Sequence, residues 1–362
     1  MSKKLKVAVS CGGTGGHIFP GLAVAAALKA RGHDVTIWMA GKDVESEALR
    51  EWQGHVVTVP SEGLQYGVSL RALLAAFRML KAGFKCLPLM KKHRPEVVLG
   101  MGSYASFGPL FASKLLRIPY VLHEANVIPG KANKLFAHGA AKIAVAFEET
   151  RHYLQNHRVA GVGMPLRADL RQAANAAESA DFSDTLNVLI MGGSRGARAL
   201  NEMIPQALAK VLAKGYKVRA IHLAGVAEEE KVRALYEELD VPNETIGFAH
   251  DMASLYKRAN LAICRSGASS CFELAAFGLP SLLIPFPYAA NDHQFANAES
   301  LEKAGAAHVI RQKDVEQDWL AEYLINFFKQ PERLKAMAVS AKKIGERNSA
   351  EALADVIEQT VA

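Results

Sequence analysis

Three glycine-rich turns follow apolar runs in this chain: Gly12 to Gly16, Gly100 to Ser103, and Gly192 to Gly196. Glycine lets a backbone approach a phosphate or sugar closely, and the N–H groups of such turns attract anions. Loops of this kind at strand ends, in two similar halves, point to a bound nucleotide. A fourth turn, Arg265–Ser266–Gly267, ends the apolar run Leu261 to Cys264. It opens a helix from about Ala268 to Gly278, with Pro280 just beyond. The N-terminus of that helix suits a phosphate or another anion. Glu273 lies about a turn and a half into it, where a carboxylate can hold the two hydroxyls of a ribose. His17, directly after the first turn, can serve as a general base near neutral pH.

Two familiar nucleotide fingerprints fail. A nicotinamide site needs a further glycine where Ile18 stands, and an acidic residue at the end of the second strand, which here reads Trp38, Met39, Ala40, Gly41. No G-x-x-x-x-G-K-[ST] loop occurs either. No cofactor is therefore expected. The chain carries no D-x-D motif at a strand end, so no tightly bound metal is expected. The cysteines Cys11, Cys86, Cys264 and Cys271 have no C-x-x-C or histidine spacing and read as buried thiols in a reducing compartment.

The elements that must position these residues alternate. Apolar runs at Leu5–Ser10, Val35–Met39, His55–Val59, Val97–Gly100, Tyr120–His123 and Lys142–Val145 read as strands, with helical patterns between them. The first helix is expected from Phe19 or Gly21 to Ala30, and the next from about Asp43 to Trp52. Val159 to Pro165 reads as a linker, and Ala173 to Asp184 as a loop. A second set of strands follows at Leu186–Met191, Lys217–His222, Glu244–Gly247, Leu261–Cys264, Ser281–Ile284 and Ala307–Ile310. Helices from about Trp319, Pro331 and Ala350 close the chain. The pattern is α/β: two doubly wound domains with parallel sheets, facing each other across a cleft.

The 362 residues suffice for two domains, and half of them are hydrophobic. Lys and Arg outnumber Asp and Glu by 43 to 36, a net +7 that fits a nucleotide or an anionic surface. No signal peptide and no membrane-spanning run is visible. Between Leu64 and Pro95, however, Leu70, Leu73, Leu74, Phe77, Leu80, Phe84 and Leu87 recur at three- and four-residue steps. Arg71, Arg78, Lys81, Lys85, Lys91, Lys92 and Arg94 surround them, and no acid lies between Glu62 and Glu96. Such a segment either packs on a core with a solvated basic face or lies on an anionic membrane. The basic residues show no stacking array of aromatics, so nucleic acid is not expected as a partner.

The order of these motifs resembles one family. Gly12 to His17 with Pro20 and Gly21, His123, Glu124 and Asn126, Pro129 and Gly130, and Ala132 and Asn133 are similar to the MurG family. So are Gly192 to Ser194 with Gly196 and Ala197, Arg265 to Ala268 with Glu273, and Pro285 to Gln294 with Asn297 and Ala298. The resemblance covers essentially the whole chain. It implies the GT-B architecture of two Rossmann-like domains. An acceptor- and membrane-binding domain would span residues 1–163, joined by a terminal helix at about 346–362, and a UDP-GlcNAc-binding domain residues 164–345. It also implies transfer of GlcNAc from UDP-GlcNAc to the C4 hydroxyl of the muramyl sugar of lipid I, giving lipid II with inversion from α to β.

Carried over residue by residue, the resemblance puts Thr14, Gly15, Gly16, Asn126, Arg167, Ser194, Ala249 (by its main chain), Gln294 and the run Ala268, Ser269, Ser270, Cys271, Phe272 and Glu273 at UDP-GlcNAc. Gly102, Tyr104, His123 and Glu124 fall on the acceptor side, and His17 matches the favoured candidate for the base. Ser103 and Phe107 depart from a loop usually richer in glycine, and Ala125 from a common glutamine. The implied partners are UDP-GlcNAc, lipid I and an anionic membrane surface met through Leu70–Arg94. The implied location is peripheral, on the cytoplasmic face of the membrane. Another UDP-sugar enzyme of similar architecture, such as a UDP-GlcNAc 2-epimerase or a glycolipid glycosyltransferase, and a non-catalytic nucleotide-binding protein remain the alternatives.

Overall fold

The computed structural model describes residues 3–41, 49, 52–59, 70–154, 158–177, 184–193 and 196–361, with backbone alone for 70–76. The helix expected at Asp43–Trp52 lies mostly outside them. The chain divides into two compact units, Met1–Arg167 with Arg347–Ala362, and Ala168–Glu346.

The first unit is built on a seven-stranded parallel sheet ordered β3-β2-β1-β4-β5-β6-β7. Its strands are β1 (Lys6–Ser10), β2 (Asp34–Met39), β3 (His55–Thr58), β4 (Val97–Gly100), β5 (Tyr120–Glu124), β6 (Lys142–Val145) and β7 (Val159–Gly161). The inner runs, β1, β4, β5 and β6, are buried on both faces along nearly all their length, as parallel strands require, while the edge strand β3 is largely exposed. The stretch expected as a linker at Val159–Pro165 begins with β7, which pairs with β6 from Ile143↔Val159 to Val145↔Gly161. Three residues are too few to show a period, and the glycines and proline that follow mask the strand.

Helices α1 (Gly15–Ala30), α2 (Leu70–His93), α3 (Phe107–Leu115), α4 (Lys131–Ala137) and a returning α13 (Ser349–Val361) cover this sheet. The first starts earlier than expected. Pro20 removes the N–H that would bond to Gly16, which puts the expected start beside it, at Phe19 or Gly21. Yet the N–H groups of His17 and Ile18 both reach the Thr14 carbonyl, at 3.0 and 3.1 Å, and the helix begins inside the glycine turn.

The terminal helix belongs to this unit through its apolar stripe. Leu353, Ala354, Val356 and Ile357 are buried in one core with Val24, Leu28, Val7 and Leu99. A polar clasp flanks the stripe. Arg31 donates to Glu351 (2.9 Å) and Asp355 (2.7 Å). His33 accepts from the Leu5 N–H at Nδ1 (3.1 Å), so its Nε2 proton goes to Glu358 (2.7 Å). That hydrogen bond from His33, with Arg31 beside it, holds the Glu358 carboxyl below the usual carboxylate range. The clasp therefore contributes at neutral pH and weakens as acid protonates Glu358.

The second unit repeats the plan with six parallel strands ordered β10-β9-β8-β11-β12-β13. They are β8 (Thr185–Met191), β9 (Lys217–Leu223), β10 (Asn243–Ile246), β11 (Leu261–Cys264), β12 (Ser281–Leu283) and β13 (Ala307–Val309). Its helices are α5 (Ala168–Asn175), α6 (Arg198–Ala213), α7 (Glu229–Glu238), α8 (Met252–Arg258), α9 (Ala268–Ala276), α10 (His293–Lys303), α11 (Gln317–Lys329) and α12 (Pro331–Gly345). In each sheet the first strand in sequence lies at the centre and the chain winds outward both ways. The order reverses between β1 and β4 and between β8 and β11. Ligands of such sheets bind at the carboxyl ends of the strands flanking that point. Among the described residues no helix is long and apolar enough to cross a membrane.

Truncating Leu353 to Ala removes a fully buried side chain from α13 and is expected to destabilise the first unit by about 2–4 kcal/mol. Urea unfolding reports this directly, and protease should cut the terminal helix sooner than in the parent chain.

Candidate active site

In the first unit the loops after β1, β4 and β5 meet at the carboxyl edge of the sheet. Serines stitch the first two together. Ser103 Oγ donates to the Gly12 carbonyl (2.8 Å), and Ser106 Oγ lies 2.9 Å from the Ser10 carbonyl. Ser103 itself sits at φ 60°, and its hydroxyl accepts from the Ala105 N–H. Against this platform His17 Nδ1 lies 2.9 Å from the Met101 carbonyl. A carbonyl only accepts, so Nδ1 carries the proton and the basic lone pair is on Nε2. Gly102 (φ 89°) makes room for the ring: a Cβ there would meet His17 Cε1 at 3.2 Å. Thr14 is exposed, Gly15 and Gly16 half-buried, and Tyr104 half-buried in the neighbouring turn.

Below this edge lies a buried polar network. Glu124 accepts from the N–H groups of Asn126 and Gly130, both at 2.9 Å, and from Asn133 Nδ2 at 2.8 Å. It is 2% exposed, so its carboxylate shapes the loop that presents Asn126 and does not face outward. His123 is buried too, with Nε2 donating to the Gly163 carbonyl (3.1 Å). Burial, with a smaller contribution from nearby His17, pushes His123 down to about 4. The two histidines therefore differ: His123 stays neutral inside the fold, and His17 stands at the surface of the loop. Arg167, at the end of the unit, lies over the Phe19 ring with its guanidinium 5.2 Å from the centroid.

In the second unit the loops after β8, β10, β11 and β12 hold the remaining expected residues. Ser194 lies outside the described residues. The rest of its loop is tight: Gly196 has φ 72°, and a Cβ on it would run into the Ala224 carbonyl. A buried chain supports the loop from beneath. Asn201 donates to that carbonyl (3.0 Å), His222 bonds Asn201 and Tyr236, and burial pushes His222 down to about 3. Ala249 follows β10, half-buried between Phe248 and His250, whose rings meet edge-on.

Beside the α9 start lies a buried charge, Arg265. Its guanidinium is held by neutral acceptors: the Ile284 and Pro285 carbonyls (3.0 and 3.2 Å) and Gln312 Oε1 (2.6 Å). Gly267 precedes the helix, and Ser269 Oγ is buried with no partner among the described residues. A cationic group, free helix N–H groups and an unsatisfied hydroxyl together suit a phosphate. Cys271 and Phe272 are buried, so their side chains do not face outward. Glu273 is oriented by Tyr256, whose OH donates to Oε2 at 2.6 Å. Gln294 is fixed twice: its main-chain carbonyl accepts from Ser266 Oγ (2.8 Å) and its Oε1 from the Phe286 N–H (2.9 Å). Its amide hydrogens are the donors left to offer.

Residues 7–145 match the Glycosyltransferase family 28 N-terminal domain, and residues 187–357 the Glycosyltransferase family 28 C-terminal domain. The chain is 34% identical to the UDP-N-acetylglucosamine--N-acetylmuramyl-(pentapeptide) pyrophosphoryl-undecaprenol N-acetylglucosamine transferase of Geobacter sulfurreducens, over 97% of both chains. Its fold matches the crystal structure of Acinetobacter baumannii MurG with a TM-score of 0.80, at 30% identity, over 99% of this chain and 100% of that one. The chain belongs to the MurG family. A UDP-GlcNAc 2-epimerase from Neisseria meningitidis shares the fold alone, at 13% identity and a TM-score of 0.67, over 98% of this chain and 100% of that one.

Membership in the MurG family accounts for the GT-B architecture and for the order of the glycine turns. Sequence reasoning missed the residues that hold the site in shape. Tyr256 on Glu273, the Met101 carbonyl on His17, and Gln312 on Arg265 lie far along the chain from their partners, in segments without motifs. Asn133 stood only as part of a motif; the structure makes it a hydrogen-bond donor to Glu124.

The depressed histidine makes a measurable statement. Unfolded His123 binds a proton near pH 6.5 and the folded one only near 4, so the first unit should lose stability as pH falls between those values. His123→Gln should unfold with a flatter pH dependence over that window, read by thermal unfolding in a series of buffers.

Proposed function

We propose that this MurG-family chain is an inverting glycosyltransferase. It moves GlcNAc from UDP-GlcNAc to the C4 hydroxyl of the muramyl sugar of lipid I, the undecaprenyl-pyrophosphoryl-linked pentapeptide acceptor, and so forms lipid II. The observation that carries this reading is identity to a transferase of that printed name over nearly all of both chains. The second unit is the donor-binding unit, and the first is the acceptor- and membrane-binding unit.

In this reading the diphosphate of UDP-GlcNAc meets the α9 N-terminus at Ala268–Ser270 and the loop of Ser194. Glu273 takes the ribose hydroxyls, Ala249 the uracil by its backbone, with Arg167 near the base, and Gln294 the GlcNAc hydroxyls. Thr14, Gly15, Gly16 and Asn126 add donor contacts from the first unit, and Gly102 and Tyr104 stand on the acceptor side. His17 Nε2 takes the proton of the attacking hydroxyl. The C4 oxygen then bonds to the anomeric carbon on the face opposite UDP, the bond to the diphosphate breaks, and the configuration inverts. The N–H groups at the helix start, with Arg265 behind them, offset the negative charge growing on the leaving diphosphate.

The lipid-linked acceptor gives meaning to α2. Met79, Ala82, Cys86 and Met90 turn into the core, while Phe77, Leu80 and Phe84 stand 66%, 44% and 56% exposed on another stripe. Lys81, Lys85, Arg78 and Lys92 are exposed along the next one. Phe84 meets Phe111 of α3 edge-on at 5.3 Å, and α3 adds exposed Lys114 and Leu115. Burying a Phe or Leu side chain is worth about 1.5–3 kcal/mol, and each basic residue near an anionic surface about 1 kcal/mol. This face seats the protein on the cytoplasmic side of the membrane as a peripheral protein.

Two experiments test the reading. Given UDP-GlcNAc labelled in the sugar, the chain should move label to a lipid I analogue in β linkage and leave the donor unchanged without it. Label appearing at an epimerised sugar would instead favour the epimerase reading. In co-sedimentation, the protein should pellet with anionic vesicles, less so in high salt, and Phe77→Ser/Phe84→Ser should pellet less at both. Binding indifferent to anionic lipid would sink the membrane assignment.

A further inference from the structure

Between β12 and α10 the backbone does something costly. Asn291 (φ 54°, ψ 25°) and Asp292 (φ 55°, ψ 30°) both lie in the left-handed region. Neither is glycine, and consecutive side-chain-bearing residues rarely share that conformation. Strain of this kind persists where surrounding contacts impose it. Two residues later stands Gln294, so this turn sets how Gln294 enters α10, where its bonds with Ser266 and Phe286 then hold it.

One residue grips the turn. Arg311, just past β13, donates from Nη2 to Asp292 Oδ2 at 2.8 Å. The same guanidinium lies over the Phe295 ring, 3.8 Å from its centroid. It therefore touches both sides of Gln294 at once, at Asp292 and at Phe295. Its neighbour Gln312 holds Arg265, so one short turn braces both loops at this edge of the sheet. Neither Arg311 nor Gln312 belongs to a motif in the sequence.

We propose that Arg311 is a positioning residue for the sugar donor. It clamps the left-handed turn Asn291–Asp292 so that Gln294 presents its amide hydrogens to the sugar of UDP-GlcNAc. This rests on the donor-site reading of the second unit. The role needs both the charge and the flat face of a guanidinium, and lysine supplies only the charge. The uracil, ribose and diphosphate contacts lie elsewhere, so the clamp governs recognition of the sugar and not of the nucleotide.

Calorimetric titration of the full chain with UDP-GlcNAc and with UDP alone separates these roles. Arg311→Met should weaken UDP-GlcNAc about fivefold, the size set by a partly exposed ion pair and a cation–π contact. Affinity for UDP and the KM for the acceptor should not change, and the unfolding temperature should fall by only a few degrees. Arg311→Lys should fall between the two. Adding Asp292→Gly to Arg311→Met should bring UDP-GlcNAc affinity back to within about twofold of the parent, because glycine adopts φ near 55° without strain. Equal weakening of UDP and UDP-GlcNAc, no weakening of either, or no rescue by glycine would overturn the clamp. A parent chain that binds neither ligand would remove the donor-site reading and the clamp together. Normal binding by the parent with unchanged binding by Arg311→Met would remove the clamp alone.

Discussion

The role proposed for the first unit depends on a single hydrogen bond, from His17 Nδ1 to the Met101 carbonyl at 2.9 Å. It joins the first turn of α1, which follows β1, to the loop after β4; these are the two strands between which the sheet reverses its order. It also fixes the tautomer. With the proton held on Nδ1, the imidazole has its lone pair on Nε2, the form a general base needs. The serines at 103 and 106, the positive φ of Gly102 and the start of α1 at Gly15 all hold this pair of loops in register. The buried carboxylate of Glu124 does the same for the third loop.

The second unit solves a different problem with the same sheet order. Its switch point lies between β8 and β11, where one glycine loop and one helix N-terminus converge. A helix terminus alone favours an anion by about 0.3–1 kcal/mol. Arg265 strengthens the site because its charge is held by carbonyls and an amide rather than cancelled by a carboxylate. Burial favours its neutral form, but a guanidinium does not lose its proton under ordinary conditions. In the proposed donor site, the diphosphate is the anion that this charge would meet.

Much of this was legible in the sequence, for identifiable reasons. Central parallel strands are nearly continuous apolar runs, so Val97–Gly100, Lys142–Val145 and Leu261–Cys264 were placed to the residue. Glycine turns mark strand ends, and the turns carried the family resemblance. What stayed hidden was non-local or short. β7 is three residues long and looks like a linker. The start of α1 is masked by glycines and Pro20, which disfavour a helix until its first carbonyl finds two N–H groups. Tyr256, Arg311 and Gln312 act across the fold on partners many residues away, and no spacing rule links them. The basic amphipathic stretch was visible, but only the structure separates its core-facing stripe from Phe77, Leu80 and Phe84.

The central claim is that His17 supplies the base in the proposed transfer and contributes little to holding the donor. Its most direct test sets the turnover of His17→Ala beside its dissociation constant for UDP-GlcNAc. Turnover is expected to fall by about a hundredfold or more while donor affinity stays within about threefold of the parent. Turnover and affinity falling by the same factor would contradict it, because His17 would then be a binding residue and the base would have to lie elsewhere.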